Sequence, residues 1–254
     1  MLFSVLFLLL GCRETLSAKG DPRRAIPAWS RTLEQIVTED GLVDYDLLEA
    51  NRESLDDYVA WIERADALKG KKKADHHAFW LNAFNALVLF QVLERGRPAS
   101  VRDVDGFFVW TQFPIGWDHI SLSEIEHERI RMRELNYRDH AAMNHGTMSS
   151  APLRNELYVK PRLREQLTGD IERWLTDPIR GVKIDAGTAV FPAEFQWYRF
   201  DFEFTSGGDD PCTVAARHVG APLRGQLHEL ARVGCPHRFQ DYDWRLNDAS
   251  SSPQ

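Results

Sequence analysis

Residues 75–94 read DHHAFWLNAFNALVLFQVLE, and this stretch decides the fold class. It is the longest and most apolar helical pattern in the chain, and Gly96 and Pro98 end it. Working outward, the upstream sequence predicts helices over Trp29–Val37, Tyr45–Ala50 and Ser54–Ala65, the last with Leu55, Tyr58, Val59 and Ile62 on one face. The run Lys69–Lys73 between them reads as a solvated turn. Downstream, Ser121 and Ser123 each precede a glutamate by three residues (Glu124, Glu126), a capping-box pattern that opens another helix. Helices are also expected over Val159–Thr176 and Leu223–Val233. Strand signals are shorter. They cover Phe107–Thr111, Ala141–Asn144, a hairpin of 182–184 with 189–191 through Asp185-Ala186-Gly187, and Arg238–Trp244, with a loop over Thr205–Pro211. The expected class is α+β: a helix-rich single domain with a small, mainly antiparallel sheet in the C-terminal half.

Composition sets the outer bounds. The chain has 254 residues, 43% of them hydrophobic and 27% charged, enough to bury a sizeable core. Lys and Arg total 31 against 38 Asp and Glu, for a formal charge of -7, which argues against a nucleic-acid partner. Mean hydropathy is -0.40, and no apolar run approaches the ~20 residues of a membrane-spanning helix.

The first twelve residues, MLFSVLFLLLGC, have the length of a signal-peptide apolar region, although no Lys or Arg precedes it. Leu9-Leu10-Gly11-Cys12 resembles a bacterial lipobox, in which the Cys12 thiol receives the lipid and becomes the mature N-terminus. Arg13 rather than Asp follows, which by the resemblance favours the outer membrane. The expected organisation is a lipoprotein signal peptide (1–12), a flexible tether (13–24) and one globular domain (25–254), anchored by lipid and facing the periplasm. Cys212 and Cys235 would then lie in an oxidising compartment, as a disulfide or as two free thiols.

No glycine-rich phosphate loop, HExxH, CxxC or GxSxG is present, so any site must be gathered from separate segments. Asn82 and Asn85 project from one face of the long apolar helix, either to tie down a neighbouring backbone or to orient a ligand. Glu124 and His127 have the Glu-x-x-His spacing of carboxylate metal sites, but no second such motif accompanies them. Residues 140–154 bring His140, Asn144, His145, Ser149, Ser150 and Arg154 into a small-residue segment suited to binding an anion or to a serine–histidine pair.

Several of these segments together resemble one family, the domain of unknown function 547. The resemblance rests on Gly41–Tyr45, Ala78–Leu87, Leu122–His127, His140–Arg154, Phe195–Phe202 and Tyr242–Asn247, which follow the family's order along the chain. It implies no established activity, and it agrees with secreted or lipid-anchored bacterial members. The family pattern has Cys where this chain has His145 and Ser150, so the resemblance implies a site that has lost its thiols. Three readings follow. The leading one is a module that binds a small ligand or an envelope protein between the Asn82/Asn85 helix and the 140–154 loop, without a cofactor. The second is a hydrolase or transferase with His127, His140 or His145 as base and Ser149 or Ser150 as nucleophile, Asn82 orienting and Arg154 clamping an anion. The third is a zinc site of His127, His140 and His145.

Overall fold

A computed structural model describes residues 13–64 and 73–251. The signal-like segment 1–12 with Cys12 and residues 69–72 of the expected lysine turn lie outside the described residues, and Lys73, the turn's last residue, opens a helix instead. Three helices lead the chain: α1 (Ala25–Ile36), α2 (Tyr45–Ala50) and α3 (Arg52–Ile62). α1 buries Trp29, Leu33 and Ile36 along one stripe, and Asp44 caps α2 by accepting from the Leu47 amide at 2.8 Å. They pack around α4 (Lys73–Glu94). Being apolar on every side, α4 sits inside the domain, with Leu81, Ala83, Phe84, Leu87 and Val92 wholly inaccessible.

A first small sheet follows the order β1 (Glu14–Thr15), β2 (Thr111–Ile115), β3 (Asp118–Ser121), with β1 parallel and β3 antiparallel to β2. Within the expected 13–24 tether, Glu14–Thr15 pair as an edge strand, and Ser17 and Ala18 hydrogen-bond the Glu63 carboxylate. Ser121 and Glu124 form the expected capping box and start α5 (Leu122–Glu124), which runs into a π-helical stretch over Ile125–Arg131 and then α6 (Met132–Glu134). The expected strand at 141–144 is instead the end of a 3-10 turn over Tyr137–Ala141 and a loop. Four apolar residues are too few for periodicity to separate strand from helix.

The C-terminal half builds a second core on α7 (Leu163–Thr176), β4 (Lys183–Asp185), β5 (Thr188–Phe191), α8 (Glu194–Trp197), α9 (Arg199–Ser206), α10 (Pro211–Ala216), α11 (Leu223–Arg232) and β6 (His237–Phe239). The hairpin forms as β4–β5, but β6 joins β5 in parallel, so the sheet is mixed. Two sheets exist among the described residues, one on each side of the chain's midpoint, and the α+β class stands. The strand expected over 238–244 stops at Phe239, that at 107–111 begins only at Thr111, and the loop expected from Thr205 begins after Ser206. Cys212 and Cys235 are joined as a disulfide, closing a 23-residue separation worth about 3 kcal/mol in the chain-entropy view. No helix of the described residues is long and apolar enough to cross a membrane.

The tail fastens the two halves. The Leu246 amide donates to the Ala99 carbonyl, that of Asn247 to Gly146, and Asn247 in turn accepts from the Val43 amide. This threading carries Tyr242 and Trp244 across the seam, where they meet residues of the first half.

Candidate functional site

The sequence-selected residues separate into two places. Asn82 donates to the Tyr158 carbonyl (2.9 Å) and accepts from the Tyr158 amide (2.8 Å). Asn85 makes the same pair of bonds to the Ala142 carbonyl and the Asn144 amide, at 2.8 and 2.9 Å. Asn144 donates to Ala151 and accepts from the Gly146 amide and from Asn247. Arg154 is held by Asp170, Glu156 and the Gln166 carbonyl. The hollow beside Asn82, Asn85 and Arg154 measures about 10 Å³, room for at most one water. The expected cleft between α4 and the 140–154 loop is therefore a packed seam, and these four side chains serve it as clamps.

His127 and His145 lie elsewhere, in a cavity of about 210 Å³ that sequence reasoning did not foresee. Its walls are Phe108, Ser123, Glu126, His127 and His145 from the middle of the chain and Glu194, Trp197, Tyr198, Tyr242 and Trp244 from its C-terminal part. Local structure explains how each arrives. The capping box fixes where the helix after β3 begins, and the π-helical stretch presents Glu126 and His127 together at the cavity. Such widened turns recur at functional sites. Gly146, at φ +71°, turns the chain after His145, and an added Cβ would meet Val88 at 3.2 Å, so glycine keeps the imidazole close to α4. The ring of His145 rests edge-on against Phe84 and Phe108.

The electrostatics of the cavity are asymmetric. His145 Nε2 lies 3.1 Å from a Glu126 carboxylate oxygen. Burial alone would raise the Glu126 pKa, but the His145 charge and hydrogen bond, with the Tyr198 phenol, outweigh it and hold it at about 2. Burial opposes the charge on His145, and Glu126 nonetheless raises its pKa above the usual value. Glu194 has no such counter-ion. Burial, reinforced by the Glu126 charge, pushes it up to about 7, against the opposing pull of His145. One buried oxygen of each carboxyl, Glu126 Oε1 and Glu194 Oε2, has no hydrogen-bond partner. Trp197, Tyr242 and Trp244 form a ring cluster, with centroids 4.5 to 5.8 Å apart.

Behind Tyr198 stands a support. His140 stacks on its ring at 4.2 Å and Arg131 lies over it at 4.4 Å. Asp201 holds both, at 2.9 Å from His140 Nε2 and 2.6 Å from Arg131 Nε, and Arg131 also donates to His127 Nδ1 at 2.6 Å. Burial works against the Asp201 charge, but these hydrogen bonds and charges keep its pKa at about 2. His140 thus reaches the cavity only through Tyr198.

Neither serine is placed as a nucleophile. Ser150 Oγ is fully buried, accepts from the His145 backbone amide at 3.1 Å and contacts Thr147 and Tyr242. Ser149 Oγ accepts from the Asp243 amide at 2.8 Å. No hydrogen bond among the described residues joins either hydroxyl to an imidazole. The three histidines of the proposed zinc set also diverge, to Arg131, Asp201 and Glu126. The grouping of metal-type ligands found among the described residues is Asp210, Cys212 and Cys235, whose sulfurs are committed to the disulfide.

Two grooves are larger, at about 490 and 600 Å³. Their charged side chains either pair with neighbours, as Arg199 does with Glu203 and Arg238 with Asp185, or stand exposed to solvent, as Lys183 and Asp241 do, so neither groove leaves a buried charged group waiting for a ligand.

The residues that sequence reasoning missed are Phe108, Ser123, Glu126, Glu194, Trp197, Tyr198, Tyr242 and Trp244. Six of them fall in the Leu122–His127, Phe195–Phe202 and Tyr242–Asn247 segments that carried the family resemblance, and that was the available signal. Neither a curated protein nor a solved structure matches the chain. The family model described as "Protein of unknown function, DUF547" matches residues 68–175, the stretch that supplies α4, the π-helical stretch, Glu126, His127 and His145. Over these residues the chain is similar to the DUF547 family.

Proposed function

We propose that this chain is a ligand-binding protein of the bacterial cell envelope, anchored by lipid at Cys12, whose small ligand enters the cavity at His145 rather than the seam beside Asn82. One observation carries the binding reading: a cavity of about 210 Å³ with aromatic walls holds a buried carboxyl, Glu194, whose Oε2 no protein group satisfies. An unsatisfied buried polar group costs about 1–3 kcal/mol, so its retention in a residue of the cavity wall favours a partner from outside. The lipobox-like residues 9–12 and the Cys212–Cys235 disulfide support the envelope address, since disulfides persist in oxidising compartments. Where the family pattern has thiols, His145 is paired to Glu126 and Ser150 is enclosed, which favours binding over nucleophilic chemistry.

Thermal denaturation with the small-molecule fraction of a cell-envelope extract tests the binding reading. The melting temperature is expected to rise for the wild type and not for Ser123→Trp, which places an indole in the cavity without removing a charged group. An equal rise in the variant, or none in the wild type, overturns it. Labelling by a fluorophosphonate that Ser150→Ala abolishes would replace it with a serine hydrolase. Mass spectrometry of the mature N-terminus tests the address, with a diacylglyceryl-modified Cys12 expected and an unmodified soluble chain against it.

A further inference from the structure

We infer that the cavity takes a small organic cation, an amine or methylated ammonium, with its charged head against Glu194 and its methyl or methylene groups on Trp197, Tyr242 and Trp244. The inference rests on the ligand-binding reading above and names the ligand class for the same cavity.

The charge inventory leads there. Two carboxyls line the cavity, and no Lys or Arg side chain does. The Glu126 charge is already offset by His145 at 3.1 Å. Glu194 is 4% exposed and has one carboxyl oxygen without a partner. An anionic ligand would set a like charge beside Glu126 and hold Glu194 in its protonated form. A neutral polyol would satisfy one hydrogen bond but offer no charge to stabilise an ionised Glu194. A cation supplies that counter-charge, and the indole and phenol faces are the surfaces that bind alkylammonium groups. The volume also fits a head group of a few heavy atoms better than a drug-sized ligand, whose pockets run from about 300 Å³ upward.

Burial keeps most of the Glu194 proton on in the empty cavity below about pH 7, so a bound cation should drive that proton into solvent. The other titratable groups facing Glu194 do not obscure this. Glu126 stays ionised down to about pH 2, and burial raises Tyr198 and Tyr242 so that both stay protonated. His145 keeps its charge past its usual range and loses it only at higher pH, which again favours a cation. His127 is held on Nδ1 by Arg131.

Choline and its uncharged carbon isostere, 3,3-dimethylbutan-1-ol, make the test, by calorimetry on the full chain. Choline is expected to bind at least about tenfold more tightly than the isostere, with close to one proton released at pH 6. Its Kd should fall about tenfold per unit from pH 5 towards 7 and then level. Glu194→Gln, nearly isosteric, is expected to fold and to lose the proton release, the pH dependence and at least tenfold in affinity. Equal binding of the isostere, binding without proton release, or an unchanged Glu194→Gln would overturn the inference. Phosphatidylcholine vesicles separate two sources of the same chemistry: retention that choline displaces assigns a lipid head group, and choline binding without retention assigns a free solute. If choline fails while the extract still stabilises the wild type but not Ser123→Trp, the cavity binds another class of ligand. If the extract also fails, the binding reading falls with it.

Discussion

The seam beside α4 and the cavity at His145 are both places where polar side chains enter an apolar framework, and they end differently. In the seam, every amide atom of Asn82 and Asn85 that could accept or donate to the facing backbone does so, and about 10 Å³ is left open. In the cavity, Glu126 and Glu194 each keep an oxygen unbonded, beside about 210 Å³ of space. The contrast teaches that a polar residue in an apolar run is only a question. Its answer lies in whether the opposite surface completes the hydrogen bonds, and that surface comes from 57 to 76 residues away at the seam.

The largest effect should come from breaking the seam. Asn85→Ala leaves the Asn144 amide buried without a partner, at about 1–3 kcal/mol, and leaves the Ala142 carbonyl only the long 3.4 Å bond from the Tyr158 hydroxyl. For a chain of this size a loss of that order lowers Tm by about 10 °C, readable by calorimetry. A fall under about 2 °C would mean that the two asparagines are not the clamps described and would reopen α4 as part of a binding face.

The next effect sharpens the other side of the contrast. Glu194 has a folded-state pKa raised from 4.5 to about 7, chiefly by burial. A carboxyl shifted upward contributes its full stability below the unfolded value, and that contribution is lost as pH rises from 4.5 to about 7, up to roughly 3 kcal/mol. Glu126 moves the opposite way, so its contribution is complete above pH 4.5 and disappears only as pH falls towards 2. Urea denaturation of the unliganded protein from pH 4.5 to 7.5 should therefore show a decline that Glu194→Gln flattens. An identical slope in wild type and variant would show that the Glu194 carboxyl reaches solvent, and the cavity would then resemble an ordinary surface groove.

Much of the fold was legible because it follows from local pattern. The apolar run at 75–94 could only be an enclosed helix, the Ser121–Glu124 capping box gave a helix start, and the turn at 185–187 gave a hairpin. Short segments misled, as at 141–144 and 238–244, because four to seven residues do not reveal a period. The site was half legible. His127 and His145 stood out by residue type, but Glu194 follows Pro192-Ala193 as one glutamate among many acidic residues, and nothing local says that it is buried. Its environment is assembled by the tail, which brings Tyr242 and Trp244 back across the seam. Ser149 and Ser150 looked chemical for the converse reason, since a hydroxyl in a small-residue loop is also what closes that loop.

That last point yields the smallest effect. Ser149 Oγ accepts one hydrogen bond, from the Asp243 amide, at a half-buried position where water can replace it in part. Ser149→Ala should cost about 1 kcal/mol and leave ligand-induced stabilisation as in the wild type. Ser150 differs. Its oxygen is inaccessible, holds the His145 amide and touches Tyr242, which lines the cavity, so Ser150→Ala should cost more and weaken ligand binding through His145 and Tyr242. Paired melting curves with and without ligand separate the two. If Ser149→Ala abolished the ligand response while Ser150→Ala spared it, the ligand would sit over the 149–150 turn, and the cavity would lose its claim to be the site.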